Sequence, residues 1–184
     1  MERRPLDPHG LIARAQKGDL EAYEEIVRLN QTLVFRTAFL ITGNAADAED
    51  VAQDAFFKAW RALQRFRPDQ PFRPWLLRIV TNEALNRRRG TWSRARLVQH
   101  LRQHDVSAAT APPPDASIDN AARRESLFRA LAELPEPQRL TFVYRHILGM
   151  SEAETSDVLD TPVGTVKSRA ARALDAIRGQ LNEH

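Results

Sequence analysis

The chain has no cysteine, which excludes disulfides and thiolate zinc sites. Its five histidines are scattered, and no metal or cofactor is expected. No apolar run approaches the roughly 20 residues that a membrane span needs. The opening MERRPLDPHG lacks the apolar stretch of a signal peptide, so a cytoplasmic protein is expected. Strand signals are nearly absent too. Alanine, leucine, arginine and glutamate dominate, and apolar residues recur close to every 3.6 positions. What remains is an all-α protein, with 42% hydrophobic residues to build its cores.

The 184 residues suit one domain or two small ones. SAATAPPPDAS, residues 107–117, interrupts the helical pattern, because three successive prolines cannot continue a helix. Residues 91–119 therefore read as a Pro/Ala-rich linker, with part of 90–105 open to a helical reading. Two small helical domains flank it, residues 1–90 and 120–184.

In the first domain a short helix over residues 11–17 ends at Gly18. Asp19 is placed to cap a second helix reaching Ile41, and Asp47 to cap a third reaching Leu63. The loop RFRPDQPF follows. Pro74 suits the first turn of a fourth helix, which runs to Arg89. In the second domain, helices are predicted over 120–134 and 136–147. Ser151 and Glu154 form a capping box that opens a third, which ends near Leu159. The turn DTPVG then leads into a last helix. Helix, short turn, helix is the helix-turn-helix pattern.

Three faces stand out. On the last helix, Val166, Ala170, Ala173, Ile177 and Leu181 form one apolar side. Thr165, Lys167, Ser168, Arg169 and Arg172 lie off it. Hydroxyls and cations at the start of the second helix suit contact with phosphates and base edges in a major groove. A helical hairpin that binds protein is the alternative.

On the fourth helix, Trp75, Arg78, Asn82, Asn86 and Arg89 share roughly a quarter of the circumference, opposite Leu76, Leu77, Val80 and Ala84. A ring to stack, cations for phosphates and amides for base edges suit unpaired nucleic acid. A core Trp75 with Arg78 snorkelling beside it explains the same spacing.

On the third helix, Val51, Ala52, Ala55, Phe56, Ala59, Trp60 and Leu63 form a stripe for burial. Asp50, Gln53, Asp54, Phe57 and Arg61 lie outside it. An exposed Phe among carboxylates points to a protein interface, and a merely solvated face is the alternative. Catalysis by these carboxylates is disfavoured, since no histidine or opposing acidic cluster complements them.

Three motifs now stand in order: ADAEDVAQDAFFKAWR, FRPDQPFRPWLLRIVTNEALNRRR and LAELPEPQRLTFVYRHILGMSEAETSDVLDTPVGTVKSRAARAL. They resemble the core-binding helix, the promoter-melting segment and the −35-binding domain of the extracytoplasmic-function group of bacterial sigma-70 factors. The resemblance spans residues 11–181. It implies a transcription initiation factor without catalysis of its own. Asp50, Gln53, Asp54, Phe57 and Arg61 would dock on the clamp helices of the largest subunit of core RNA polymerase. A further contact would fall on the flap of the second-largest subunit.

Phe66, Trp75, Arg78, Asn82, Asn86 and Arg89 would open the −10 element and capture an unpaired base. Thr165, Lys167, Ser168, Arg169 and Arg172 would read the −35 element of promoter DNA. An anti-sigma factor is a further partner that the resemblance raises. Thr155-Ser156 stand where the group usually has Ile-Ala, Asp160 where it has glycine, and Ala170 where it has leucine. These departures imply a less tightly packed C-terminal domain. The rival readings are a helix-turn-helix regulator of response-regulator type and an all-helical carboxylate-metal enzyme.

Overall fold

The computed structural model describes residues 8–101 and 118–182. The 107–117 proline segment of the expected linker lies outside them, as does the side chain of Leu181. The chain divides into two compact units, Met1–Val98 and Gln99–His184. Every regular element among the described residues is helical.

The first unit holds α1 (Pro8–Gln16), α2 (Leu20–Thr42), α3 (Ala45–Leu63) and α4 (Phe72–Leu101). Asp19 caps α2 as expected, accepting from the Ala22 amide at 3.0 Å. That hydrogen bond, with help from Arg14, holds its carboxyl below the usual value. Gly43 ends α2 in the left-handed region, φ 73°.

The cap of α3 differs from expectation. Asn44 accepts from the Asp47 amide at 3.0 Å, so Asp47 sits inside the first turn with its carboxylate free for another partner. α4 begins at Phe72, two residues before Pro74, and continues past Gly90 to Leu101. Pro74 still falls in the first turn, where a missing N–H costs no helical bond.

α2 packs on α1 and α3. Val34, Ala38, Ile41, Ala48, Val51, Ala55, Ala59 and Leu63 are all buried. Tyr23 and Trp60 meet with ring centroids 4.7 Å apart, and the Tyr23 hydroxyl donates to the Phe56 carbonyl. Burial pushes this phenol up to about 12. Leu76, Leu77, Val80 and Ala84 of α4 are buried as expected. Phe56, Trp60 and Ala52 are only half-buried, so the stripe on α3 is narrower than the sequence implied.

The second unit holds α5 (Ile118–Glu133), α6 (Glu136–Phe142), a π-helical turn (Val143–Ile147), α7 (Glu152–Leu159) and α8 (Val163–Asn182). α8 packs on α5, α6 and α7. Ala130, Leu131, Leu134, Phe142, Ala173 and Ile177 form one core cluster. Val143, Tyr144 and Val166 are fully buried; Ile147 and Ala170 are half-buried. The Ser151–Glu154 capping box forms in both directions.

The two departures on α7 have opposite effects. Buried Thr37, Thr81 and Thr141 each donate their hydroxyl to the carbonyl four residues back, at 2.7–2.8 Å. Thr155 is equally buried, but its Oγ1 has no partner among the described residues. Ser156 instead tightens the fold, donating to the Thr161 carbonyl at 2.7 Å across the turn.

An unsatisfied buried hydroxyl costs on the order of 1–3 kcal/mol. Thr155→Val is therefore expected to stabilise the second unit by about 1 kcal/mol, whereas Ser156→Ala should destabilise it by about 1 kcal/mol. Urea unfolding followed by circular dichroism measures both. A loss of stability in Thr155→Val would mean that its hydroxyl has found an acceptor.

Candidate nucleic-acid and protein-binding faces

α3 is positioned by its buried side. Val51, Ala55, Ala59 and Leu63 are at most 2% exposed, which turns Asp50, Gln53, Asp54, Phe57 and Arg61 outward. Phe57 is 60% exposed. The Arg61 guanidinium lies 5.8 Å from its ring centroid, a cation–π distance. The face is therefore an exposed ring with a cation at one end and carboxylates at the other. Asp50 is already paired, receiving a hydrogen bond from Arg87 of α4.

On α4, Arg78, Asn82, Asn86 and Arg89 are all exposed. Trp75 is half-buried, and its ring centroid lies 4.9 Å from that of Phe66 and 5.4 Å from that of Phe72. Both readings of Trp75 thus hold in part, since the ring packs on the α1–α2 core while remaining partly open. Phe66 was expected among the DNA-facing residues but is only 5% exposed. Its ring meets Phe72 edge-on at 5.6 Å, so it supports Trp75 from beneath. The Gln16 amide donates to the carbonyls of Leu63 and Phe66 at 3.0 and 2.8 Å. This fixes the end of α3 and the loop after it.

The helix-turn-helix consists of α7 and α8. Asp160 ends α7 in the left-handed region, φ 48°, a conformation that Asp tolerates better than most residues. Thr161 donates to the Leu159 carbonyl at 3.0 Å, and Arg169 reaches its hydroxyl at 3.3 Å. Arg169 is half-buried along the turn, while Arg172 and Lys167 are exposed.

Lys167 lies 3.4 Å from Glu152 at the start of α7, and Arg145 lies 4.0 Å from the same carboxylate. Thr165 and Ser168 are half-buried, and the Ser168 hydroxyl donates to the Thr165 carbonyl at 3.0 Å. Val163, at the start of α8, is 39% exposed. The sequence reading passed over it, although an apolar residue beside the turn and off the buried stripe was a visible signal.

Glu152, Thr161 and Arg87 were also missed. Their partners lie far along the chain or across a turn, where periodicity carries no information.

No group of three or more metal-ligating side chains occurs among the described residues. His100 and His104 do stand four apart, a spacing that the sequence reading overlooked, and their side chains lie outside the described residues. No helix among the described residues is long and apolar enough to cross a membrane.

The sigma-70 region 2 family matches residues 26–94, and sigma-70 region 4 matches residues 124–177. The chain is 35% identical to the ECF RNA polymerase sigma-E factor of Escherichia coli K12 over 93% of this chain and 92% of that protein. It is 29% identical to the ECF RNA polymerase sigma factor SigW of Bacillus subtilis, over 94% and 95%. Among solved structures it is similar to the sigma factor RpoE of Bartonella quintana, in co-crystals with the anti-sigma factor NepR. The TM-score there is 0.70 at 25% identity, covering 87% of this chain and 96% of that one.

Proposed function

The chain belongs to the extracytoplasmic-function sigma factors of the sigma-70 family, and we propose how its faces divide that family's work. It is a promoter-specificity factor for RNA polymerase. The observation that carries this conclusion is the ordered match of region 2 to the first unit and region 4 to the second, at 35% identity to a polymerase sigma factor over nearly the whole chain. A helix-turn-helix regulator acting outside polymerase would leave the region 2 match without a purpose.

In this reading the outward face of α3 docks on the clamp helices of the largest polymerase subunit. Phe57 supports it, because an exposed ring beside Arg61 has the form of an interface anchor. The exposed Arg78, Asn82, Asn86 and Arg89, with the open part of Trp75, receive the unpaired −10 strand. Phe66 and Phe72 serve as the platform that orients Trp75. α8 enters the major groove of the −35 element. Lys167 and Arg172 are exposed there, and Arg169 stays against the turn until DNA arrives. The likeness to a sigma factor bound to an anti-sigma factor supports an anti-sigma partner for this chain as well.

Three measurements test these assignments. Asp54→Arg combined with Phe57→Ala should weaken core polymerase binding by about 2 kcal/mol or more. Co-elution reports it, with circular dichroism to show that the fold is intact. Full co-elution would make the face merely solvated.

Arg172→Ala should weaken −35 binding by about 1–3 kcal/mol, selectively at one base pair if it meets a guanine edge. If it meets phosphate, the loss should be uniform across sequences and the salt slope should fall by roughly one. Arg169→Ala should show a similar loss together with a looser turn, because it also gives up Thr161. Unchanged −35 binding by both variants would remove α8 from promoter recognition.

Asn82→Ala should join polymerase and bind −35 duplex normally, yet give fewer permanganate-reactive thymines at the −10 element. The amide offers both a donor and an acceptor to the edge of an extruded base, whose extrusion costs a few kcal/mol. A promoter already mismatched at −10 should restore much of the activity. Normal opening of duplex promoters by this variant would make Asn82 structural only.

A further inference from the structure

Consecutive arginines stand at 87, 88 and 89, and the first differs from the last in where it points. At about 100° per residue, Arg89 lies within about 20° of Asn82 around α4, whereas Arg87 lies about 140° away. Arg87 is thus off the face proposed for unpaired DNA. It turns to α3 instead. Its Nε donates to Asp47 Oδ1 at 2.8 Å, and its Nη2 donates to Asp50.

A second bridge runs alongside, with Lys58 Nζ 2.6 Å from Glu83 Oε2. Asp47 and Lys58 lie within about 20° of each other on α3, and Glu83 and Arg87 within about 40° on α4. The two bridges therefore tie matching edges of the helices. Asp50 lies between that edge and Phe57 on the α3 circumference. Its carboxylate belongs at once to the bridge and to the polymerase-facing surface.

We propose that Arg87 is a positioning residue that couples polymerase docking on α3 to promoter opening on α4. Its fork spans Asp47, which is held in the first turn of α3, and Asp50, which fronts the docking face. Both carboxylates favour its charged form, the Asp47 hydrogen bond foremost. With Arg87 41% exposed, the pairs add little to stability, as surface ion pairs generally do. Their effect is geometric: α3, once seated on polymerase, fixes the rotation of α4 and so the direction of Asn82 and Arg78. This inference rests on the division of faces proposed above.

The test uses holoenzyme reconstituted with core polymerase. Arg87→Gln, Asp47→Asn and the double variant are compared at a temperature where circular dichroism shows each folded. Each single variant should keep core binding within about threefold while duplex opening, read by permanganate, falls about tenfold. The double should be no worse than the worse single, because both remove one shared link. Arg87→Lys should recover part of the opening through Asp47 alone.

Normal opening by Arg87→Gln, with Asn82→Ala defective, overturns the inference and leaves the −10 reading standing. Normal opening by both overturns the two together. A defect in Arg87→Gln that Asp47→Asn does not share, or that multiplies in the double variant, also overturns it, by making Arg87 a direct DNA contact.

Discussion

The first unit depends on a narrow seam between α2 and α3. Ala38 on one helix and Ala48, Ala55 and Ala59 on the other are at most 1% exposed. Small side chains let two helix backbones approach closely, and interaxial distance follows side-chain size. No space is left in such a seam for Phe57, Gln53 or Asp54, which are driven outward. The exposure of Phe57 is therefore a consequence of how the core is built. A larger residue at Ala55 would overpack the seam and tilt the docking face with it. Tyr23 and Trp60 sit beside the seam, and the bond from Tyr23 to the Phe56 carbonyl fixes α3 against α2.

The second unit solves a different problem. Its recognition helix must present a polar face within the turn that precedes it, so the turn has to be rigid without a glycine. Ser156, Thr161 and Arg169 form a run of hydrogen bonds across it, and Glu152 reaches Lys167 from the start of α7. Several of the side chains proposed for DNA are thus already engaged with the protein. Binding would exchange these internal contacts for phosphate and base contacts, which lowers the net gain per residue but narrows the range of poses.

Much of this architecture was legible from periodicity. The buried stripe of α3, the apolar side of α4 and the Ser151–Glu154 box all repeat at helical spacing or sit at a defined cap. Phe57 could be read as outward because it falls off a regular stripe. Phe66 could not be read correctly, because it sits in a loop where no period says which way a ring turns. Its place beneath Trp75 is set by Phe72 and by Gln16, which is 50 residues away. Asn44 and Asp47 are both good capping residues three positions apart, and local preference does not choose between them. Once Asn44 takes the cap, Asp47 is available to Arg87, 40 residues on. The bridges between helices were invisible for the same reason: each joins residues whose local contexts are complete without the other.

The π-helical turn at Val143–Ile147 carries a consequence for how this region tolerates change. The Leu148 amide bonds to the Val143 carbonyl, five residues back, at 2.9 Å, and Met150 closes on Tyr144 beyond left-handed Gly149. Such a turn holds one residue more than an α-helix of the same rise. Removing a single residue here would let the segment relax to α-helical winding. Everything after it would then rotate by about 100° relative to α6, carrying Arg145 away from Glu152 and the capping box away from its place. Chain length through this stretch is therefore constrained as tightly as residue type. Substitutions at exposed His146 should be absorbed locally, whereas insertions and deletions between Phe142 and Gly149 should be selected against.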